Sequence, residues 1–304
     1  MSGTLKVRPE PRISFAAKRS IVLNTTRAPL PTLLGFQRSS KSLGWQSTGP
    51  FSFVPVDQPR FADDPVSGAG RGLWIEAEAT NLVSHSIAST GTWLNDNCSS
   101  VDAGLTTHGP LQGVVVQSSG ATWGRLKQDF TLTTGDFAVT CYYVPGTSPR
   151  VRATISGQGV ATIVGGAHGN VVTFRSDIGP CSNIEDVVLS DSVTRRLRYV
   201  FHSTAEGTFQ IGLGPQSAIA GKDIIVLGIQ VEQGTTFSSL IETGSEQGIR
   251  AADQLLLDGP NGTFDITVDF ADRPTQMIPQ ANVSPGYIIP VEAGRVTAIR
   301  LRRA

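Results

Sequence analysis

The chain has 304 residues, 16% of them charged, with 33 glycines, 18 prolines and equal numbers of basic and acidic residues, 25 of each. This composition is typical of short strands joined by turns and argues against a coiled coil or a disordered chain. The zero formal net charge gives no general reason to expect nucleic acid as a partner.

Residues 1–45 form a basic, proline-punctuated segment. Between Met1 and Lys41, eight basic residues stand against one acid, Glu10. A segment of this kind does not bury enough apolar surface to fold alone. We predict an extended arm that orders on a partner surface, with a disordered tail as the alternative. The candidate anchoring residues of the arm are Arg8, Arg12, Lys18 and Arg19.

From residue 46 to residue 255, short apolar–polar alternations are separated by Gly, Pro, Asn and Asp, which is the pattern of half-buried strands. Their spacing predicts an all-β fold, an antiparallel β-sandwich of the jelly-roll type. The glycines at 157, 159, 165 and 166 are interpreted as turn residues. The predicted strands cover residues 72–77, 113–116, 125–131, 137–144, 151–155, 170–175, 187–189, 196–202, 208–213 and 223–233.

We predict that residues 256–304 form a small C-terminal β module, because apolar and polar residues alternate again in 263–270 and 296–301 after a break in the pattern. A unit of about fifty residues is marginally stable by itself. We therefore expect this module to pack on the main domain or on a neighbouring subunit.

The three cysteines, Cys98, Cys141 and Cys181, show no C-x-x-C spacing and are predicted to be free, buried thiols. No apolar run reaches the ~18 residues that span a bilayer, and the start lacks the apolar region of a secretory signal. These features predict that the protein has no membrane partner and stays in the cytoplasm where it is made.

Two segments enclose the predicted sandwich. The first reads PRFADDPVSGAGRGLWIEAEATNLVSHS and begins at Pro59; the second reads LGIQVEQGTTFSSLIETGSEQGIRAADQLLL and begins at Leu227. Together they resemble a group of tailed-phage and gene-transfer-agent virion proteins described as head spike, head fibre or tail fibre proteins. The matching positions include Pro59, Arg60, Phe61, Asp64, Pro65, Gly72, Leu73, Ile75, Glu76, Thr80, Asn81, Leu82, Gln230, Glu232, Gly234, Ile241, Thr243, Arg250, Ala251, Ala252 and Asp253.

The resemblance implies a structural virion protein that forms a homotrimer or another homo-oligomer, contacts other virion proteins and displays a sandwich that meets host cell-surface glycans. Its location would be the virion, assembled in the host cytoplasm. The chain departs from the group in its basic N-terminal arm and in Trp74, where Leu is usual. From the residues themselves, Arg60 is expected to pair with Asp63 or Asp64.

Catalytic and metal chemistry find little support in the sequence. Glu76 and Glu78 are two apart on a strand, about 7 Å, which suits an inverting glycosidase pair, but paired exposed acids are common on strands. The four histidines are isolated, and no nucleophile-elbow or zinc motif is present. We predict no enzyme activity and no cofactor. A structural calcium ion at Asp57, Asp63 and Asp64 is the alternative, without motif support.

Aromatic side chains are the candidates for sugar stacking, because an aromatic face offers apolar surface to a pyranose ring. Trp93 and Trp123 stand beside glycines in predicted loops or strand ends, and one of Tyr142 and Tyr143 must face outward on their strand. The candidate glycan-binding residues are Trp93, Trp123 and Tyr143.

Three hypotheses follow. The first is a virion appendage subunit that anchors through its N-terminal arm. The second is a receptor-binding tail fibre tip that recognises a host polysaccharide, and the third is a polysaccharide-degrading enzyme.

Overall fold

The computed structural model describes residues 20–26, 28–46, 49–61, 64, 66–67, 72–104 and 109–304. All regular secondary structure within these ranges is β-strand. In the same ranges, no helix is long and apolar enough to cross a membrane. The anchoring candidates Arg8, Arg12, Lys18 and Arg19 lie outside the described residues.

The strands of the first half of the chain are β1 (Ser20–Asn24), β2 (Leu34–Gln37), β3 (Ser42–Gln46), β4 (Gly49–Val54), β5 (Leu73–Ile75), β6 (Ala79–Asn81), β7 (Leu94–Asp96), β8 (Cys98–Asp102), β9 (Val114–Ser118), β10 (Arg125–Leu132), β11 (Gly135–Pro145) and β12 (Arg150–Gly157). Those of the second half are β13 (Val160–Ala167), β14 (Asn170–Ser176), β15 (Cys181–Val188), β16 (Arg195–Ser203), β17 (Gly207–Pro215), β18 (Asp223–Gln233), β19 (Gly248–Arg250), β20 (Gln254–Leu257), β21 (Gly262–Phe270), β22 (Gln276–Val283), β23 (Tyr287–Ile289) and β24 (Gly294–Arg303).

The larger sandwich consists of two six-stranded antiparallel sheets. The first, here called the covered sheet, has the order β15-β16-β11-β18-β9-β8, and the second, the open sheet, has the order β14-β13-β12-β17-β10-β7. Apolar residues alternate along each strand, so one side of each sheet faces the other and buries a common core. Phe137, Tyr199 and Val231 from the covered sheet meet Phe209 and Ile211 from the open sheet there. The predicted antiparallel β-sandwich is confirmed.

The two sheets differ in what lies on their outer sides. A separate apolar cluster buries the outer side of the covered sheet, where Tyr142 and Leu227 contact Leu43 and Phe51 of the β3–β4 hairpin. The rings of Phe51 and Tyr142 meet edge to face, with centroids 5.1 Å apart. Strand β11 is therefore buried on both faces. The outer side of the open sheet instead carries polar side chains that reach solvent.

A second, smaller sandwich combines both ends of the chain. Its sheets have the orders β1-β24-β21-β22, with β5 beside β24, and β2-β20-β23. Leu23, Leu34, Leu255, Ile266 and Ile299 belong to its core.

The N-terminal segment thus differs from the predicted extended arm. Residues 20–37 supply strands to the C-terminal module, with Ser20 of β1 opposite Arg302 of β24, and residues 42–46 form a hairpin with β4. The physical reason is that the C-terminal strands cannot enclose a core alone, while Leu23 and Leu34 supply apolar side chains for it. The boundary expected at residue 45 is therefore absent, because strands on its N-terminal side pair with strands of the C-terminal module and with β4.

Two neighbouring residues of β1 test this arrangement. Leu23 is 6% exposed and Val22 is 59% exposed. We expect Leu23→Ala to lower the free energy of unfolding of the smaller sandwich by about 2–3 kcal/mol through the cavity it leaves. The control Val22→Ala should change it by less than about 0.5 kcal/mol. Guanidinium denaturation followed by circular dichroism measures both, and equal effects would contradict the pairing of β1 with β24.

A buried ionic cluster lies where the two sandwiches meet. It joins the guanidinium groups of Arg38, Arg60 and Arg250 to the carboxylates of Glu76 and Asp253, all five of which are buried. Arg38 Nη1 lies 3.2 Å from Asp253 Oδ1, and the backbone N–H of Glu76 donates to Asp253 Oδ2 at 2.9 Å. Arg60 is paired here with Glu76, and at 3.7 Å with Asp253.

These partners differ from the Asp63 or Asp64 expected for Arg60. Asp63 lies outside the described residues, and Asp64 accepts hydrogen bonds from the backbone N–H and hydroxyl of Ser67 at 2.7 and 2.9 Å. Asp64 therefore closes a local turn. Asp64 is therefore not the partner of Arg60, whose described acidic partners are Glu76, sixteen residues later, and Asp253.

Glu76 connects two arginines of the cluster to Ser239. Its carboxylate contacts both Arg60 and Arg250, the latter at 2.9 Å from Nη1. The backbone N–H and the hydroxyl of Ser239 also donate to it, each at 2.7 Å. Burial disfavours the ionised form, but the charges of Arg60 and Arg250 outweigh that effect and lower the pKa of Glu76 to about 2. The carboxylate is therefore ionised over the ordinary pH range.

Substitution of Glu76 by Gln should destabilise the fold, because it leaves two buried arginines without their shared counter-charge. We expect Glu76→Gln to lower the free energy of unfolding by about 3 kcal/mol at neutral pH. Glu78 is exposed on the same segment, and Glu78→Gln should have an effect below about 0.5 kcal/mol.

The low pKa of Glu76 also predicts how the effect of Glu76→Gln depends on pH. Since the folded-state pKa of Glu76 lies below its ordinary value of 4.5, ionisation stabilises the fold fully above pH 4.5 and is lost as the pH falls towards 2. The difference in unfolding free energy between the unchanged chain and Glu76→Gln should shrink over that interval. Denaturation curves recorded at stepwise lower pH measure it, and a constant difference would contradict the assigned ion pairs.

Candidate functional site

The candidate site is a cleft of about 330 Å³ on the outer side of the open sheet. Trp123, just before β10, is partly exposed at its edge. Arg125 on β10, Arg152 on β12 and Arg175 on β14 line the cleft together with Gln210 on β17. Period-two alternation explains this placement, because the inward neighbours on the same strands, such as Ile211, fill the core.

Glycine keeps the middle of this face free of side chains. Gly214 on β17 lies opposite Arg152, and a Cβ added at Gly214 would lie 2.1 Å from the carbonyl oxygen of Gly124 and 2.6 Å from Cα of Arg125. Only glycine allows β10 and β17 to approach this closely. Arg125 and Arg152 therefore flank a bare strip of backbone.

Two guanidinium groups lie against the ring of Trp123. Cζ of Arg152 lies 4.7 Å from the ring centroid and Cζ of Arg125 lies 5.4 Å from it. Both distances are in the range of cation–π contacts. The structure thus places Trp123 at a strand end, as predicted, but the residue is only partly exposed and its ring contacts two arginines.

The two arginines have different partners. Arg125 is buried, and its Nε and Nη2 donate to Asp96 Oδ2 at 3.0 and 2.9 Å. Arg152 is half-buried, and its Nε donates to the hydroxyl of Thr154 at 3.1 Å. Within the described ranges, no carboxylate lies within ion-pair distance of Arg152.

The electrostatics of the cleft follow from this imbalance. Burial and the neighbouring charges of Arg125 and Arg175 lower the pKa of Arg152 to about 10, against a smaller opposing effect of Asp96. Arg152 remains protonated at neutral pH. The cleft therefore presents a cationic donor group beside an aromatic ring and the amide groups of Gln158 and Gln210.

The other two glycan-binding candidates are core residues, which corrects the expectation of exposed platforms. Trp93 is 3% exposed, and its Nε1 donates to the carbonyl oxygen of His85 at 2.8 Å. Tyr143 is fully buried, and its hydroxyl donates to Asp186 Oδ2 at 2.9 Å. Burial, reinforced by Asp186, raises the pKa of Tyr143. A sugar cannot reach either ring in the folded chain.

Sequence reasoning missed the arginines of the cleft. Arg125 and Arg152 stand at alternate positions of two predicted strands, both on the solvent side, and that alternation was the available signal. What the sequence did not contain was the pairing of β12 with β17 and of β17 with β10, which brings the two strands to the same cleft.

A second cavity, of about 560 Å³, lies at the junction of the two sandwiches. Its ring, Trp74, is flanked by Arg60 and Arg295, with Cζ at 4.3 and 4.4 Å from the ring centroid. Burial raises the pKa of Glu232 in its wall, and the carboxylate of Glu232 accepts from Gln230 Nε2 at 2.7 Å. These groups are engaged in holding the junction together.

Glu76 and Glu78 both line the junction cavity, but only Glu78 is exposed. Glu76 is buried in the ionic cluster, where its carboxylate contacts Arg60, Arg250 and Ser239, so the pair of exposed acids considered from the sequence is not what the structure presents. Asp57 accepts a hydrogen bond from the backbone N–H of Arg38 at 2.9 Å. In the part of the chain that the structure describes, no group of three or more His, Cys, Asp or Glu residues is arranged to hold a metal ion.

This geometry defines an antiparallel β-sandwich with one covered and one open outer face. No protein-family model matches the chain, and no curated protein sequence matches it. A solved structure of a carbohydrate-binding module with specific mannan recognition is similar to this chain at 14% identity and a TM-score of 0.29, over 53% of this chain and 98% of the module. A similarity at that TM-score carries no argument, so the fold assignment rests on the strand order and register described above.

Proposed function

We propose that the chain is a non-catalytic structural subunit of a tailed phage or phage-like particle whose larger sandwich binds a cell-surface glycan. The observation that carries the binding part is the cleft at Trp123 on the open sheet. It places a partly exposed ring beside cationic donors and side-chain amides, so an apolar surface and polar groups that could orient a ligand converge there.

The virion part of the proposal rests on the two enclosing sequence segments. Arg60, Glu76, Arg250 and Asp253, which carry much of the resemblance, meet in the buried ionic cluster. These matched positions therefore have a structural role in this chain, and in this proposal the resemblance reflects the same arrangement of the two sandwiches. In this proposal residues 1–19 contact another virion protein, and assembly into a homotrimer or other homo-oligomer multiplies weak single-site binding through avidity.

A receptor-binding tip of a tail fibre is the second candidate, and the same cleft favours it. The two candidates differ in selectivity. A tip binds a defined host polysaccharide, whereas a decoration subunit binds many glycans weakly.

Replacement of Trp123 tests the binding part. We expect the purified protein to bind glycans on an array and Trp123→Ala to bind about tenfold more weakly, because the variant loses both the ring surface and the support of Arg152. Met277 is 71% exposed on the smaller sandwich, and Met277→Ala should leave binding unchanged. A blank array, or equal losses in the two variants, would refute glycan binding at the cleft.

Incorporation into particles tests the virion part. We expect a variant with Arg8, Arg12, Lys18 and Arg19 all replaced by Gln to fold normally but to be missing from purified particles. Arg302 and Arg303 are exposed at the end of β24, and their replacement by Gln should leave incorporation intact. Quantitative immunoblots and negative-stain images of the particles measure both, and normal incorporation of the fourfold variant would exclude these residues as the anchor.

A further inference from the structure

The cleft at Trp123 has more positive than negative charge at its surface. Asp96 is shared by Arg125 and Lys127, and Asp177 is paired with Arg175. Within the described ranges, this leaves the guanidinium of Arg152 as a cation without a carboxylate partner. One acidic group also borders the far end, where Asp129 accepts from Gln210 at 3.0 Å.

Arg152 is held in a fixed orientation. Its Nε bonds to Thr154, and its planar group lies over the ring of Trp123. No protein acceptor among the described residues takes the two terminal nitrogens. A guanidinium stacked on an aromatic ring keeps its edge free, and that edge matches the two oxygens of a carboxylate.

From these contacts we infer that the cleft selects acidic sugars, in which a ring carboxylate pairs with Arg152 while neighbouring hydroxyls bond to the polar wall. This inference rests on the proposed function and names its ligand class. The wall suits a sugar, because Ser156, Gln158 and Gln210 supply a hydroxyl and two amides. The volume of the cleft, about 330 Å³, is at the small end of the range for ligand pockets, about 300–1,000 Å³.

The uneven burial of Arg125 and Arg152 assigns the direct contact to Arg152. Arg125 is 5% exposed and engaged with Asp96, and its Nη1 is buried without an acceptor in the described part of the chain. Arg125 thus contributes positive charge from below the surface of the cleft. Arg152 reaches the surface and meets the ligand.

Matched oligosaccharides test the inference. We propose titration of the full chain with tetramers of galacturonate, of mannuronate and of the glucuronate-containing repeat of hyaluronan, each compared with its methyl ester. Esterification removes the charge of the carboxylate and changes the shape of the ring little. We expect at least one acidic tetramer to bind about tenfold more tightly than its ester, with an affinity that falls as salt rises.

Three variants at two positions of β12 distinguish a specific carboxylate site from a general effect of positive charge. Arg152→Gln should bind the acid and its ester equally, and Arg152→Lys should recover part of the preference. Arg150, exposed on β12 two residues earlier, lies outside the cleft. Arg150→Gln removes the same charge from the same side of the strand and should keep the preference within about twofold.

Each outcome has a separate meaning. If the esters and neutral array glycans bind as tightly as the acids, and Trp123→Ala abolishes that binding, the acidic preference is refuted while the proposed function stands. If neither the array nor any tetramer shows binding, the proposed function fails and the inference fails with it. Tighter binding of a single-stranded oligonucleotide than of every acidic tetramer, lost in Arg152→Gln, would also overturn the assignment to sugars.

Discussion

The buried ionic cluster is the constraint on which the arrangement of the molecule depends. Its members come from positions as far apart as Arg38 and Asp253, and they lie between two cores that are otherwise separate. Moving such charges out of water costs several kcal/mol per ion, so the cluster adds little net stability. Its effect is on specificity, because any other docking of the two sandwiches would leave an arginine or a carboxylate buried without its partner.

With the two sandwiches fixed, the hairpin of β3 and β4 lies over the covered sheet, where Phe51 meets Tyr142. That contact removes one outer face from solvent and leaves the outer face of the open sheet accessible. On that face, glycine at 214 allows β10 and β17 to approach closely, and the pairing of β17 with β12 brings Arg125 and Arg152 to the same cleft. One outer face of the larger sandwich is thus covered by packing, and the other carries the cleft.

The sequence alone was sufficient for the sandwich and for most of its strands, since hydrophobic alternation is a local property. It failed where partners are distant. The residues next to Trp93 and Tyr143 in the sequence are compatible with either a solvent-facing or a core-facing ring. Only the packing of the two sheets determines that both rings point into the core. Strand β13 was missed because Gly165 and Gly166 resemble a turn; a Cβ at Gly165 would lie 2.7 Å from the carbonyl of Val151, so glycine here serves close strand pairing. The basic N-terminal segment was misjudged beyond residue 20 for the same reason, since β24 lies at the other end of the chain.

The pairing of β1 with β24 has a consequence for how the protein is made. The strands of the larger sandwich run from β7 to β18 without interruption by the smaller one, so that unit can complete its core while synthesis continues. Ser20 must wait for Arg302 to leave the ribosome before its sheet can close. Until then the apolar side chains of β1 and β2 remain exposed, and loop closure across nearly the whole chain makes this the slow step. A nascent chain in that order of synthesis has one complete sandwich and an unpaired leading end, and such exposed apolar edges are the ones prone to aggregation.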